Sequence, residues 1–390
     1  MRIAIAYHFN DRDWLGGRNY FASLFSAIRE VAPSSWQIVL VLGQKTLSTL
    51  PEEFPWLEVL RTPLMDRLAP VWFARQVTLR WFENDFLLAN YLSQHRIDLL
   101  SHSGYLGRRC SIRTLPWLYD FQFMHLPEYW TPKQIAWSTK RYNNVCKYGD
   151  GIIVSSEDAC RDLRKFAPWC DLPVYVMQFV SNPVDFSCLS SSEDIRARYH
   201  LPEHYFHLPN QFWSNKNHRL AIDALALLKQ RDIFATIVCT GKTFDTRMPQ
   251  YFDDLMSYCK TKGVEDCFRV LGVVPHKDLQ SLMAHSKAVI NPSYFEGWST
   301  SVEEAKTLQK RLLLSDIPVH REQAPQASRF FATGDAQGLA DHIAQTLSEP
   351  TPILDEAFIV SSYHKRLRDF GLIYLYYVAQ VMQGVDTELK

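Results

Sequence analysis

Between Asn291 and Pro325 the chain reads NPSYFEGWSTSVEEAKTLQKRLLLSDIPVHREQAP, and few folds accommodate that order of residue types. A short apolar strand is expected at Ala288 to Asn291, followed by an acid-glycine loop at Glu296 and Gly297. A hydroxyl-rich helix entry follows at Ser299, Thr300 and Ser301, then a helix and a second apolar strand at Leu312 to Leu314. Two apolar strands joined through a helix belong in a parallel sheet covered on both faces. Such a unit directs a helix N-terminus to the sheet edge, where its first amides lack internal partners and suit a phosphate. Glu296 and Glu304 bracket the entry, with seven residues between them. A plainer reading stands beside this one. Ser301 with Glu304, and Thr300 with Glu303, each fit a capping box, and Glu296 fits a solvated loop acid.

The same alternation runs through the chain. Apolar runs at Ile3 to Tyr7, Gln37 to Leu42, Asp98 to Leu100, Trp117 to Tyr119, Gly151 to Val154 and Val174 to Met177 read as strands with helices between them. After the first run a polar loop ends at Gly16-Gly17, and a helix is expected from about Asn19 to Val31 with Phe21, Leu24, Phe25 and Ile28 on one face. No G-x-G-x-x-G follows, so this is not a dinucleotide fingerprint. Asp11-Arg12-Asp13 has a D-x-D form and reads as a loop of solvated acids. Ser181 to Asp185 and the polar run Ser187 to Glu193 read as a linker. Beyond it, strands are expected at His204 to Asn210, Thr236 to Thr240 and Phe268 to Leu271, the last leading into Gly272-Val273-Val274. The fold class is therefore α/β, with doubly wound parallel sheets.

At 390 residues the chain is long enough for two domains with separate cores. Lysines and arginines balance aspartates and glutamates at 42 each, which removes any electrostatic argument for nucleic acid. Eight cysteines without a C-x-x-C pair suggest neither a zinc site nor a disulfide scaffold. The N-terminal apolar run is too short for a signal peptide and no run approaches bilayer length, so a cytoplasmic protein, soluble or peripheral on the inner face of the membrane, is expected. The segment Ala69 to Leu92 is unusually aromatic and carries Arg75 and Arg80 among Trp72, Phe73, Trp81 and Phe82. The first reading is a core helix with a charged outer face; the second is a membrane-surface helix with its arginines at lipid head groups.

Three further places hold polar groups where an α/β sheet binds ligands. Asp120 to Glu128 follows a short strand and gathers Asp120, Gln122 and His125 in one loop. Gly151 to Glu157 reads as a strand and helix cap. Lys216 lies beside a helix entry whose N-cap is expected at Asn217 and whose apolar face is Leu220, Ala221, Ala224, Leu225 and Leu228.

Taken together, Pro292-Ser293, Glu296-Gly297, Glu304-Ala305, Ser315-Asp316 and His320-Arg321-Glu322 resemble retaining glycosyltransferase family 4, specifically from about His204 to Leu347 and diffusely before that. The resemblance implies the GT-B fold, two Rossmann-like doubly wound domains facing a central cleft. The domains would be residues 1–183 on the acceptor side, joined by a C-terminal crossover helix at 363–390, and 184–362 on the nucleotide-sugar side. It implies that Glu296 lies against the donor sugar, that Glu304 binds the ribose, and that the backbone of Gly297, Trp298, Ser299, Thr300 and Ser301 holds the pyrophosphate. Gly16 and Gly17 would approach the donor phosphates, Gly272 and Val274 the base, and Asp120, Gln122 or His125 the sugar. Lys216 would supply a cation on the diphosphate, and Gln211 stands where the family has an arginine, five positions earlier. The implied activity is transfer of a sugar, with retention, from a UDP- or GDP-sugar to a hydroxyl of a glycan or lipid-linked acceptor. Surface polysaccharide biosynthesis is the implied setting. No metal and no cofactor beyond the nucleotide-sugar cosubstrate are expected. A nucleotide-sugar epimerase or phosphorylase on the same fold, and a non-catalytic nucleotide-sugar-binding protein, remain the alternatives.

Overall fold

The computed structural model describes residues 1–11, 14–108, 110–181, 183–323 and 328–383. Arg12 and Asp13 of the D-x-D stretch, Asn182 of the expected linker, Pro325 and residues 384–390 of the expected crossover helix lie outside the described residues. The chain forms two compact units. Unit 1 comprises Met1–Phe121, Pro132–Val180 and Lys365–Lys390, and unit 2 comprises Gln122–Thr131 and Ser181–His364. The stretch 122–131, which the sequence reading left in the first domain, thus belongs to unit 2.

Unit 1 holds strands β1 (Arg2–Tyr7), β2 (Gln37–Leu42), β3 (Glu58–Arg61), β4 (Leu99–Ser101), β5 (Arg113–Leu115), β6 (Trp117–Leu118), β7 (Ile152–Val154) and β8 (Val174–Val176). They form one parallel sheet in the order β3-β2-β1-β4-β5 and another in the order β6-β7-β8. The break between them falls at Pro116, which has no N–H to donate to a ladder, although its carbonyl still accepts from the Ile153 amide at 2.8 Å. Ala4, Ala6, Val39, Val41 and Leu100 turn to one face, where Leu88 and Leu92 of the helix Phe86–Gln94 cover them. The last part of the helix Glu356–Gln383 belongs to this unit; Tyr377 donates to the Val176 carbonyl at 2.8 Å.

The first helix starts earlier than expected, at Leu15, and runs to Val31. Gly16 and Gly17 therefore sit in its first turn instead of in a loop before it. A Cβ at Gly17 would lie 2.2 Å from the Trp14 ring, so glycine is what lets that indole fold back over the helix entry.

Unit 2 holds β9 (Phe206–Leu208), β10 (Ile237–Thr240), β11 (Phe268–Gly272), β12 (Val289–Asn291), β13 (Leu312–Ser315) and β14 (Ser328–Phe331). They form one parallel sheet in the order β11-β10-β9-β12-β13-β14. Successive residues alternate between two cores, as the pleat requires. Ile290 and Leu313 pack with Leu220, Leu225, Leu339 and Ile343 from the helices His218–Gln230 and Ala336–Ser348. Val289, Leu312 and Leu314 pack on the opposite side with Met283, Val302 and Ala305 from the helices His276–His285 and Thr300–Thr307. Strand order reverses between β9 and β12. In an open α/β sheet the crevice beyond the carboxyl ends of such a pair is where ligands bind.

Several expectations are corrected. Ala69 to Leu92 is two helices, Pro70–Trp81 and Phe86–Gln94, separated by Asp85, whose carboxylate accepts from the Leu88 amide. The first of them buries no residue, so it is not a core helix. The run Ser187 to Glu193 is not plain linker, because Ser191 caps a helix over Ser192–Tyr199 by accepting from the Asp194 amide at 3.1 Å.

Candidate functional site

The strand reversal is built around two asparagines. Asn210 follows β9 and Asn291 ends β12, and the Asn210 amide donates to Asn291 Oδ1 at 3.1 Å. Asn291 Oδ1 also accepts from the Ser293 amide and hydroxyl, at 3.2 and 2.6 Å. Asn291 Nδ2 donates to the Ser299 hydroxyl at 2.9 Å, and Ser301 donates to Asn210 Oδ1 at 3.2 Å. All five of these residues are buried. An asparagine at the end of a buried strand has both a donor and an acceptor to satisfy, and here Asn291 finds its partners on the loop after β12 and Asn210 finds its partners in Asn291 and Ser301.

Glu296 enters this cluster from the loop after β12. Its Oε1 receives the Lys216 ammonium at 2.6 Å and the Ser293 hydroxyl at 2.7 Å. Oε2 has no hydrogen-bond donor among the described residues. Burial pushes the Glu296 carboxyl up, but the Lys216 charge, the electrostatic influence of His320 and the bonds from Lys216 and Ser293 outweigh burial and hold it below its usual value. The carboxylate is therefore ionised. His320, behind it, is driven down to about 4 by burial, against the opposing pull of Glu296 and of the Ser315 backbone carbonyl that its Nδ1 approaches at 2.9 Å.

Lys216 closes a single 3-10 turn, Ser214–Lys216, and Asn217 then takes a left-handed conformation at φ 53°. The expected side-chain cap at Asn217 does not form. Its Nδ2 donates instead to the carbonyls of Pro292 and Thr333, at 3.1 and 2.9 Å, which ties the lysine turn to the Glu296 loop. Lys216 keeps two further N–H donors beyond the one that meets Glu296.

The helix entry after Gly297 is equally specific. Ser299 is the N-cap position of the helix Thr300–Thr307 without a side-chain cap bond, and Glu303 pairs with Lys306 at 2.7 Å and with Gln323 at 3.0 Å. Neither capping box expected for this entry forms. Gln323 does part of that work from outside, accepting from the Ser299 amide at 3.1 Å and donating to the Ser299 carbonyl at 2.7 Å. Glu304 is buried, and its carboxylate lies 3.7 Å from His276 Nε2, at the start of the helix that follows Gly272 and Val274. Gly272 has φ 69°, a left-handed turn suited to glycine, and its carbonyl accepts from Gly241.

Gln211 is half-buried, and its Oε1 accepts from the Lys242 amide at 2.9 Å, leaving only its amide N–H groups as donors. Of the three residues left open in the loop after β6, Gln122 and His125 fall in unit 2 and Asp120 in unit 1. The His125 ring stacks on Phe295, the residue before Glu296, with centroids 4.9 Å apart. Asp120 contributes its carbonyl to the Tyr142 hydroxyl. Unit 2 thus holds Gln211, Lys216, Glu296, Glu304, His125 and the entry from Gly297 to Ser301, with Lys216 against Glu296 and His125 against Phe295. Gly16, Gly17 and Asp120 lie in unit 1.

One cation escaped the sequence reading. Arg247, in the loop after β10, donates to Gln122 Oε1 at 2.8 Å and to Asn215 Oδ1 at 3.3 Å, pairs with buried Asp245 at 3.2 Å, and lies over the Trp213 and Trp130 rings. It joins the loop 122–131 to the lysine turn. No motif flags it, because its partners come from three separate stretches of chain.

Residues 193–365 match the model of the family described as Glycosyl transferases group 1. Over 98 residues, a quarter of this chain, the sequence is 28% identical to the O-antigen chain mannosyltransferase B of Escherichia coli; the alignment spans 26% of that protein's length. A structure of HepE from Anabaena with UDP and glucose superimposes over 100% of this chain and 99% of that one, with TM-score 0.66 and 14% identity. A glycosyltransferase of Rickettsia africae superimposes over 98% of each chain with TM-score 0.66 and 14% identity. The lipopolysaccharide outer core galactosyltransferase WaaB matches 97% of this chain and 99% of its own with TM-score 0.61 and 13% identity. At these identities the structural likenesses show the fold, which is GT-B.

Proposed function

We propose, from the match of residues 193–365 to the glycosyl transferases group 1, that this chain is a retaining glycosyltransferase of family 4 type acting on a nucleotide diphosphate sugar. The observation that carries the reading is the ionised, buried Glu296. One of its oxygens is fixed by Lys216 and Ser293, and the other is left to accept from a sugar hydroxyl. The diphosphate would take the amides from Gly297 to Ser301 other than that of Ser299, which donates to Gln323, and the two remaining donors of Lys216, with Gln211 giving an uncharged hydrogen bond. Glu304 would hold the ribose, with the base against the backbone from Gly272 to Val274. The 3.7 Å approach of Glu304 to His276 supports placing those two groups side by side.

In the proposed reaction the bond from the anomeric carbon to the diphosphate breaks as the acceptor oxygen adds on the same face. The acceptor proton passes to the departing phosphate oxygen. Glu296 polarises the sugar and forms no covalent bond, and Lys216 with the helix amides stabilises the leaving charge. His125, stacked on Phe295, is the proposed contact to the sugar. The roles of Gly16, Gly17 and Asp120 in unit 1 are proposed on the resemblance alone. Family 4, retention, metal independence and a cytoplasmic setting belong to the same proposal. So does a glycan or lipid-linked acceptor in surface polysaccharide synthesis, which the O-antigen and lipopolysaccharide relatives support.

A panel of UDP-, GDP-, ADP- and TDP-sugars tests it, read as thermal stabilisation and slow release of free nucleotide diphosphate, with Glu304→Ala alongside. One base class should stabilise the wild type and fail with the variant. Stabilisation that survives Glu304→Ala unchanged refutes the ribose role, and silence across the panel refutes the donor site.

A further inference from the structure

The helix Pro70–Trp81 is folded inside out. Its arginine at position 75 faces the protein, where the guanidinium grips Asp85 at 2.7 Å and reaches the Leu64 carbonyl at 3.2 Å. Its large apolar side chains face outward instead. Phe73, Val77 and Trp81, spaced one helical turn apart, are 50%, 51% and 75% exposed, and Phe82 beyond the helix is 67% exposed. Leu68 and Phe86 extend the patch at either end. Isolated exposed apolar residues are ordinary, but a continuous stripe on one helix marks a surface that something covers.

The rim of the stripe is basic. Arg67 and Arg80 are exposed on this segment. Lys140, from the neighbouring helix Pro132–Tyr148, reaches the Arg80 carbonyl at 3.3 Å. Exposed Trp137 lies one turn before Lys140, and exposed Lys133 one turn before that. The nearby acids are already engaged: Asp85 by Arg75, and Glu83 by Lys147 at 3.0 Å and by Tyr148. Among the described residues no helix is long and apolar enough to cross a bilayer.

We infer that this face of unit 1 docks on an anionic lipid surface, with the Phe73, Val77, Trp81 and Phe82 side chains at the acyl boundary and Arg67, Arg80, Lys133 and Lys140 among the headgroups. Aromatic side chains beside a basic rim fit that interface. A second copy of the chain fits it less well, since a two-fold contact sets each basic rim against itself. The inference stands on unit 1 and does not rest on the donor-site reading of unit 2.

The test is flotation of the full chain with phosphatidylcholine vesicles, with and without phosphatidylglycerol. The wild type should be retained only by the anionic vesicles, and retention should fall with added salt. Arg80→Gln and Lys140→Gln should each weaken partitioning roughly fivefold. Phe73→Ser/Val77→Ser/Trp81→Ser, all at exposed positions, should abolish retention while nucleotide-sugar stabilisation in unit 2 persists. Quenching by lipids brominated in the acyl chain, compared between wild type and Trp81→Phe, reads insertion of Trp81 without relying on the triple variant. Failure of the wild type to float overturns the inference, as does equal retention of the triple variant. A concentration-dependent dimer lost in the triple variant, without vesicle binding, assigns the face to a second copy and overturns it too.

Discussion

Lys216→Met is the substitution that most directly examines the site. Met keeps the stem of the lysine and removes the cation that meets Glu296 Oε1 at 2.6 Å. Both side chains are largely buried, 14% and 9% exposed, so the attraction is weakly screened and the carboxylate left behind has little water to turn to. Removing one partner of a buried pair costs about 3–5 kcal/mol, and the residual exposure of Lys216 argues for about 3. The pH dependence carries the sharper signature. In the wild type the folded Glu296 carboxyl titrates below its unfolded value of 4.5, so its contribution is complete above that value and is lost as pH falls through the folded value. Without Lys216, burial, the largest influence on Glu296, prevails and moves the folded value above the unfolded one. The deficit of the variant is then greatest at high pH and shrinks as acid protonates Glu296.

Urea unfolding at about pH 8 and about pH 5.5 for wild type, Lys216→Met, Glu296→Gln and the double variant measures this as a coupling energy. The double variant should recover most of the loss, since an amide in place of the carboxylate removes the unpaired charge. A Lys216→Met deficit of equal size at both pH values, or a double variant no better than the sum of the two changes, refutes the reasoning.

Arg247→Met should destabilise the chain by about 3 kcal/mol in urea, because it leaves the buried Asp245 carboxylate without its cation, and adding Asp245→Asn should restore part of that. Arg75→Met should cost a similar amount through Asp85, yet leave vesicle flotation of the folded protein unchanged, which separates it from Arg80. His207 and His218 are driven to about 3, and His320 to about 4, each chiefly by burial. All three therefore stay neutral in the folded chain while the unfolded chain binds protons near its ordinary value of 6.5. Stability should fall as pH drops below about 6.5, and His320→Gln should soften that decline in a pH series of urea midpoints.

The central strands were readable because each is an apolar run ended by a turn residue, and burial on both faces demands that composition. The edges were not. β3 is Glu-Val-Leu-Arg and β14 is Ser-Arg-Phe-Phe; each has one open flank and tolerates charge, so neither stands out from a loop. β5 was hidden by Pro116, which ends it after three residues. Within the candidate site, Glu296, Glu304 and Lys216 could be singled out because each lies at or within the first turns of a helix entry and at a position matched by the family resemblance. Arg247 was missed because its meaning lies in Gln122, Asn215 and Asp245, which only folding brings to it. The helix Pro70–Trp81 was misread for another reason. Its periodicity is amphipathic, and periodicity does not say which face turns inward; the buried Asp85 decides that by claiming Arg75.

The cluster between β9 and β12 also bears on how the site can work. Burying Asn210, Asn291, Ser293, Ser299 and Ser301 removes many polar groups from water, and each unmade bond there would cost about 1–3 kcal/mol. The cost is met because every residue of the group bonds to another, and the bonds of Asn210 to Asn291 and Ser301 cross the strand reversal, so the loops after β9 and β12 are fixed relative to each other before any ligand binds. Glu296 is held by the same network through Ser293, and Lys216 is held through Asn217 and Pro292. In the proposed reaction, an anionic leaving group and a sugar hydroxyl would thus meet a cation and a carboxylate already in place. Preorganised charge of this kind is what electrostatic stabilisation of a developing diphosphate requires, because no reorganisation is spent at the moment of bond breaking.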